Sequence, residues 1–288
     1  MTLNYSGDPR AAAAEAADLE RAGIDVGWVA ELYSFDAVSI LGYLAAKTET
    51  MELGSSILPI YSRTPTLTAM TAAGLDAVSE GRFILGIGAS GPQVIEGWHG
   101  VPYDRPIGRQ RELIDICRKV WRREVVTHDG PSYHLPLPAD QGTGLGKPLK
   151  LINHPKRADI PVYIASLGPK NVEVTAEIAN GWIPVFFHPD KADSVWGDPI
   201  AAGLAKRDAS LPPAEAEQIQ DLYLAGRKDE AMAAVPQEFL DATAMVGDEG
   251  RVRERIEAYR AAGVTRLQVQ PMGDNQLQLI EKVKGWIS

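Results

Sequence analysis

The chain has 288 residues, of which 45% are hydrophobic and 23% charged, with a formal net charge of −9 at pH 7. This composition is typical of a globular protein and excludes a chain that is disordered throughout. The acidic balance argues against a general affinity for nucleic acid or anionic membranes, because clustered Lys and Arg are what bind phosphate groups. We therefore expect a small-molecule substrate as the partner, with no nucleic acid and no membrane.

Cys117 is the only cysteine, so no disulfide bond can form within the chain. No run approaches the roughly 20 apolar residues that a transmembrane helix requires. The start at Met1 also lacks the basic and apolar regions of a signal peptide. These features predict a cytoplasmic protein in which Cys117 is buried as a packing residue.

Short apolar runs alternate with Ala-rich stretches in the first third of the chain. The pattern predicts an N-cap at Thr64 and a helix end at Gly23. Because the runs are almost wholly apolar, we expect a parallel sheet that is covered on both faces. The predicted strands are 3–5, 26–30, 51–58 and 83–88, and the predicted helices are 10–22, 36–47, 65–79 and 105–123.

Residues 125–159 are rich in proline and glycine and predict an ordered excursion with a small hairpin around Tyr133. Alternation then resumes. The later predicted strands are 161–165, 182–187 and 265–270, and the later helices are 170–179, 189–208, 215–234 and 249–262.

This count is one strand short of the eight that close a (β/α)₈ barrel. Either residues 243–246 form a seventh strand, or a βα segment is absent near Ser210–Leu211, and the second interpretation is favoured. The predicted fold is of the α/β class: a (β/α)₈ TIM barrel forming one domain over residues 1–288. It has an insertion after the fourth helix and a missing segment near Ser210–Leu211.

Two glycine-containing turns follow predicted strands. One is Gly88-Ala-Ser-Gly-Pro-Gln-Val94, and the other is Ala165-Ser-Leu-Gly-Pro-Lys-Asn171. Glycine lets the backbone approach a ligand closely, and free N–H groups at a helix start attract phosphate, to which Lys170 adds charge. A plain capped turn would give each pattern as well. Their shared position at one end of the barrel favours binding, because barrel enzymes place their sites there.

Glu31 follows the second predicted strand directly, and a carboxylate at that position needs a partner. No HxxxH, HExxH or CxxC pattern occurs, so no metal site is predicted. A serine hydrolase is disfavoured because the Gly-x-Ser-x-Gly elbow is absent.

The run from Arg63 to Gly88 resembles the bacterial luciferase-like superfamily, most specifically in Leu75-Asp76…Ser79-x-Gly81-Arg82-Phe83. Its continuation to Tyr103 is similar to the coenzyme F420-dependent branch found in actinobacteria, related to methylenetetrahydromethanopterin reductases. Val246-Gly247 and the run from Arg260 to Thr265 also match. The resemblance implies an oxidoreductase that binds coenzyme F420, with FMN as the alternative.

The sequence departs from the sugar-phosphate dehydrogenases of the superfamily, which have Asp-His after the second strand and Glu after the Gly-x-Gly of the fourth. Here those places hold Glu31-Leu32 and Ala89. Glucose-6-phosphate chemistry is therefore disfavoured.

The resemblance also implies the residues of the site. The family has a non-proline cis peptide bond beneath the coenzyme ring, and the matching bond is Ser56–Ile57. The candidate catalytic residues do not come from the resemblance: as proton donors that the sequence does not separate, they are Glu31, Tyr61 and His188. The implied cofactor-binding residues are Glu31, Ser55, Ser56, Ile57, Gly88, Ala89, Ser90, Gly91, Pro92, Gln93, Val94, Ala165, Leu167, Gly168, Pro169, Lys170 and Asn171.

We expect hydride transfer between the reduced deazaflavin and a small or lipid-like imine, enone or ketone, in a homodimer. The coenzyme supplies the chemistry, and the protein supplies orientation and excludes water. An FMN-dependent luciferase-like monooxygenase is the first alternative. A non-catalytic coenzyme-binding protein is the second.

Overall fold

A computed structural model describes residues 1–3, 7–185, 187–211, 245, 247–269, 271 and 275–287, and the backbone alone of 215–218. Parallel strands alternate with helices, as the apolar runs predict. In chain order the elements are α1 (Pro9–Arg21), β1 (Val26–Val29), α2 (Ala37–Ala45), β2 (Glu52–Ser55), β3 (Leu58–Pro59), α3 (Pro65–Val78), β4 (Phe83–Gly88), α4 (Pro92–Gly97), α5 (Pro106–Trp121), β5 (His128–Asp129), β6 (His134–Leu135), a 3₁₀ turn (Ala139–Gln141), β7 (Val162–Ala165), α6 (Pro169–Ile178), β8 (Gly181–Ile183), α7 (Pro189–Leu204), β9 (Glu215–Gln218), α8 (Glu249–Ala261), β10 (Arg266–Leu267) and α9 (Gln276–Ile287).

The chain divides into two units. The first contains Met1–Tyr163 and Gln270–Gly285, and the second contains Ile164–Val269 and Trp286–Ser288. The assignment of residues 1–288 to one domain stays a prediction. None of the helices in the described ranges is long and apolar enough to cross a membrane.

In the first unit β1 pairs with β2, and both β2 and β3 pair with β4, all in parallel. The N-terminal residues contribute a further parallel contact, because Leu3 N–H donates to Trp28 O at 2.9 Å. Of the strand predicted over 3–5, residues 4 and 5 lie outside the described residues. The single strand predicted over 51–58 is wrong, since the chain turns at residues 56 and 57 and forms β2 and β3.

The helix boundaries follow local capping chemistry. Thr64 Oγ1 accepts a hydrogen bond from Leu67 N–H at 3.3 Å, which confirms the predicted N-cap of α3. Gly23 has φ +96° just after α1, as predicted for a residue that ends a helix. The predicted hairpin around Tyr133 is also confirmed, with β5 and β6 antiparallel. Helix α4 was not predicted, because its six residues are too short for a periodic pattern.

The luciferase-like motif at residues 75–83 is structural. Arg82 donates to Thr48 O at 2.9 Å and to Ala45 O at 3.1 Å, and so binds carbonyls at the end of α2. Asp76 is fully buried and accepts a hydrogen bond from Arg157 Nε at 2.9 Å. The motif therefore ties helix ends to the start of β4. Cys117 is buried as predicted.

In the second unit β9 pairs in parallel with β8 and with β10. The helix predicted over 215–234 is therefore wrong at residues 215–218, and residues 219–234 lie outside the described residues. The Glu-Ala-Glu-Gln sequence of β9 favours helix locally, but pairing on both sides overrides that preference. Strand β9 lies between β8 and β10, at the position of the seventh strand, for which residues 243–246 are one candidate in the sequence. Apart from Met245, that range lies outside the described residues.

We predict that Gly54→Ala lowers the free energy of unfolding by about 1–3 kcal/mol, because a Cβ there would overlap the ring of the buried Trp28. The matched control is Gly74→Ala on the exposed side of α3, where a Cβ meets nothing within 4 Å. This control should gain about 0.5–1 kcal/mol, since glycine weakens a helix interior. Urea denaturation of both variants measures the difference, and equal effects would contradict the close approach of Trp28.

Candidate functional site

Glu31 is the second residue after β1 and its carboxylate is buried, with 7% of the residue exposed. Its Oε2 accepts hydrogen bonds from Arg63 Nη2 and from Ala37 N–H, each at 2.9 Å, and Arg63 Nη1 contacts Oε1. Arg63 therefore binds the carboxylate through both terminal nitrogens of its guanidinium, and this bidentate geometry makes such pairs strong. The same carboxylate caps the first turn of α2.

The end of β2 is polar because its side chains complete backbone pairing. Ser55 is fully buried, and its Oγ donates to Gly86 O at 2.8 Å and accepts from Gly86 N–H at 3.0 Å. Ser56 N–H donates to Val29 O at 2.8 Å. The peptide bond between Ser56 and Ile57 is cis, which confirms that prediction.

The turn after β4 exposes backbone donors. Ser90 has φ +58°, and Gly91 precedes α4 without a side-chain cap. In the described parts of the chain, no acceptor contacts the N–H groups of Ser90, Gly91 and Gln93. Tyr103 Oη lies 3.4 Å from Ser90 O, within hydrogen-bond reach of the turn's carbonyl. An anion would find several donors here.

Tyr61 belongs to an aromatic cluster next to this turn. Its hydroxyl donates to Asp104 O at 2.7 Å, and its ring lies 5.1 Å from that of Tyr103. The Arg109 guanidinium lies 5.0 Å from the Tyr61 ring and 5.2 Å from the Tyr133 ring, and it pairs with the Asp104 carboxylate. Burial, assisted by neighbouring Tyr103, raises the pKa of Tyr61 to about 12.

In the second unit, two indole groups hold the turn after β7. Trp182 Nε1 donates to Ser166 O at 2.9 Å, and Trp196 Nε1 donates to Leu167 O at 3.4 Å. Gly168 is the N-cap residue of α6 and makes no side-chain capping hydrogen bond. Lys170 is exposed in the first turn of this helix. The dipole of α6 and the Lys170 ammonium group both favour an anion here.

His188 is the N-cap residue of α7 and belongs to the second unit. Its Nδ1 is buried, lies 3.6 Å from Asp190 Oδ2 and has no hydrogen-bond partner among the described residues. Asp190 Oδ2 is also 3.0 Å from Arg255 Nη1. This hydrogen bond from Arg255 is the main reason why the pKa of Asp190 is lowered.

The structure groups the predicted site residues within each unit. In the first unit, residues at or just beyond the carboxyl ends of β1–β4 include Glu31, Tyr61, Ser55–Ile57 and the turn Gly88–Val94. The second unit contains Ala165, Leu167–Asn171 and His188.

Sequence reasoning missed the partners of the predicted residues. A buried carboxylate requires a cation, so Arg63, next to the predicted cap Thr64, could have been found as the partner of Glu31. No local pattern pointed to Arg109, Trp182 or Trp196.

Parallel strands that alternate with helices, with polar side chains and open turns near their carboxyl ends, are typical of barrel enzymes, which place their ligand sites at that end. The family model "Luciferase-like monooxygenase" matches residues 1–216 and 211–266. The chain therefore belongs to the luciferase-like family. The two matches overlap at 211–216, beside the place where a segment is predicted to be absent.

A protein of Mycobacterium tuberculosis, provisionally named a coenzyme F420-dependent oxidoreductase, is 37% identical over 93% of both chains. The aligned length of 324 residues exceeds the 288 of this chain, so the relative has residues that this chain lacks. The 5,10-methylenetetrahydromethanopterin reductase of Archaeoglobus fulgidus is 34% identical over 66% of this chain and 53% of its own length.

Among solved structures, the coenzyme F420-dependent tetrahydromethanopterin reductase from Methanopyrus kandleri superimposes with a TM-score of 0.81. Its sequence identity is 21%, over 98% of this chain and 96% of that one. This similarity confirms the predicted luciferase-like (β/α)₈ TIM-barrel fold.

We predict that Arg63→Met lowers the free energy of unfolding by about 3–5 kcal/mol, because it leaves the Glu31 carboxylate buried without a cation. Glu31→Gln together with Arg63→Met should cost less than the sum of the single changes, by at least about 1 kcal/mol. Urea denaturation of the two single variants and the double variant measures this coupling. Additive losses would show that the two side chains do not interact.

We predict that the Tyr61 hydroxyl stays protonated well above the usual tyrosine pKa of about 10. Because the pKa of Tyr61 is raised to about 12, its neutral hydroxyl stabilises the folded protein fully below about pH 10. This contribution to the free energy of unfolding is lost as the pH rises through 12. Ultraviolet titration of phenolate absorbance in the wild type and in Tyr61→Phe isolates this group. The difference curve should have its midpoint near pH 12, and a midpoint near pH 10 would contradict the burial described.

Proposed function

We propose that this protein is a coenzyme F420-dependent oxidoreductase that reduces a small or lipid-like imine, enone or ketone. The observation that carries the proposal is the 37% identity, over 93% of both chains, to a protein provisionally named for that coenzyme. The turn after β4 supports it independently, because its backbone donors suit the phosphate group of a deazaflavin coenzyme.

The residues at the strand ends fit such a coenzyme. In this proposal Ser55, Ser56 and Ile57 support the ring, and the N–H groups of Ser90, Gly91 and Gln93 bind phosphate. The fit rests on the open donors of this turn, which lack protein acceptors in the described ranges. Gly168–Asn171, with Lys170, is a second candidate for binding an anionic part of the coenzyme.

When bound in its reduced form, F420 supplies the hydride. The protein orients the reactants and positions a proton donor. The contacts of Glu31 suit a fixed anchor, since Arg63 and Ala37 N–H occupy its carboxylate. Tyr61 donates its proton to Asp104 O and has a high pKa. Glu31, Tyr61 and His188 stay the candidate proton donors, and of these groups the Nδ1 of His188 has no hydrogen-bond partner in the described part of the chain.

We expect purified protein to bind F420 in preference to FMN and to oxidise reduced F420 in the presence of a ketone, enone or imine. Fluorescence titration with each coenzyme measures binding, and the absorbance of oxidised F420 measures turnover. His188→Gln should reduce kcat by at least about 100-fold while the Kd for F420 stays unchanged. Exclusive binding of FMN with oxygen consumption would support the monooxygenase instead, and coenzyme binding without turnover would support the non-catalytic protein.

Binding of an anionic part of the coenzyme at the start of α6 is tested with two lysine variants. Lys170→Gln should weaken F420 binding about three- to fivefold, since a charge at a helix start contributes up to about 1 kcal/mol. Lys191→Gln, an exposed lysine on α7, should leave the Kd unchanged. Equal effects of the two changes would remove Lys170 from the coenzyme site.

The homodimer and the cytoplasmic location stay predictions.

A further inference from the structure

Three large aromatic side chains are unusually exposed beyond the carboxyl ends of β1 and β4. The exposed fractions are 60% for Tyr33, 65% for Phe35 and 66% for Trp98. The rings of Tyr33 and Trp98 contact each other, with centroids 6.3 Å apart. Aromatic groups contribute large apolar area with few rotatable bonds, so they are suited to binding an apolar ligand. Phe35 follows Tyr33 by two residues in the same exposed loop, and we call these three residues the aromatic surface.

The loop that displays Tyr33 and Phe35 is held at both ends. At its start, Glu31 accepts a hydrogen bond from Ala37 N–H and closes residues 31–37 into a loop. At its end, Asp36 accepts from Ser39 N–H at 2.8 Å and caps α2. Ser34 Oγ also donates to Phe35 O at 3.1 Å. The two aromatic residues are thus presented by an ordered loop, which lowers the entropic cost of binding.

Trp98 connects the aromatic surface to the proposed coenzyme site. It is the C-cap residue of α4, and its N–H donates to Val94 O at 2.9 Å. Helix α4 begins at Pro92, in the turn proposed to bind phosphate, and six residues make a helix about 9 Å long. The aromatic surface therefore lies one short helix away from the turn.

The size of the surface favours a small ligand. Three aromatic side chains at these exposures present roughly 400 Å². A stable protein interface needs about 800 Å² from each partner. The area is therefore about half of what a second protein would require, whereas it is sufficient to cover one face of a small apolar molecule.

We propose that Tyr33, Phe35 and Trp98 bind the apolar part of the substrate and select ketones, enones or imines with bulky alkyl or aryl groups. The assignment of these residues to substrate selection depends on the proposed function. The apolar binding surface itself does not, so each can be tested without the other.

Binding is tested first on the protein without coenzyme, using cyclohexanol as an unreactive apolar probe and glycerol as the polar control. Cyclohexanol should reduce acrylamide quenching of tryptophan fluorescence in the wild type, because it covers Trp98, and glycerol should not. The reduction should disappear in Trp98→Phe and be halved or more in Tyr33→Ala. It should persist in Tyr43→Ala, which removes a partly exposed aromatic residue of α2 elsewhere on the surface.

Selection is tested with F420 and methyl ketones of increasing chain length. In the wild type kcat/KM should rise with chain length. Trp98→Ala should lose about tenfold with the longest ketone and less than twofold with acetone, because the lost contact is apolar. The Kd for F420 should be unchanged, and Tyr43→Ala should match the wild type.

The outcomes separate the two proposals. Absence of F420 binding, together with cyclohexanol protection, would refute the proposed function and retain the apolar surface. Turnover with F420, together with equal chain-length dependence in Trp98→Ala and Tyr43→Ala, would overturn this inference. So would a Trp98→Ala protein that sediments as a smaller species than the wild type, since a second copy of the chain would then cover the surface.

Discussion

The buried ion pair between Glu31 and Arg63 is the interaction on which the candidate site depends. A carboxylate that is 7% exposed must be paired, because burying an isolated charge is very costly. The pair joins the second residue after β1 to the residue before the N-cap of α3, and the same carboxylate binds the first turn of α2. Three segments beyond the strand ends are thus fixed together. The hydrogen bond from Ala37 N–H to Glu31 also closes the loop that carries Tyr33 and Phe35. This loop is therefore ordered before a ligand binds.

Much of the fold could be predicted because its signals are local. Strand β4 agrees with its prediction at both ends, since a short apolar run between a helix end and a glycine turn has the length and flanking residues of a strand. The cap at Thr64 likewise depends on neighbouring atoms alone. Strand β9 was missed because Glu215–Gln218 carries a helical local preference, and only its pairing with β8 and β10 makes it a strand. The division of residues 51–58 was missed although Ser55 and Ser56 are polar, because a polar pair does not by itself show that the chain turns.

The candidate site was predicted less completely than the fold. Position alone identified Glu31, and resemblance identified the cis bond at Ser56–Ile57. The partner of Glu31, Arg63, is distant from it in sequence. Trp182 and Trp196 are likewise distant in sequence from Ser166 and Leu167, whose carbonyl groups they bind. Such contacts depend on the fold and leave no local pattern. Glu31 is a candidate for both catalysis and coenzyme binding, and the contacts that suit it to a fixed anchor, with Arg63 and Ala37 N–H, were not predicted.

We propose that the carboxyl ends of β1, β2 and β4 form the site of a deazaflavin coenzyme. A crystal structure of the protein soaked with F420 would show where the coenzyme binds. We expect density for the ring against Ser55–Ile57 and for phosphate within about 3 Å of the N–H groups of Ser90, Gly91 and Gln93. Density for the ring away from residues 55–57, with the turn after β4 empty, would contradict it.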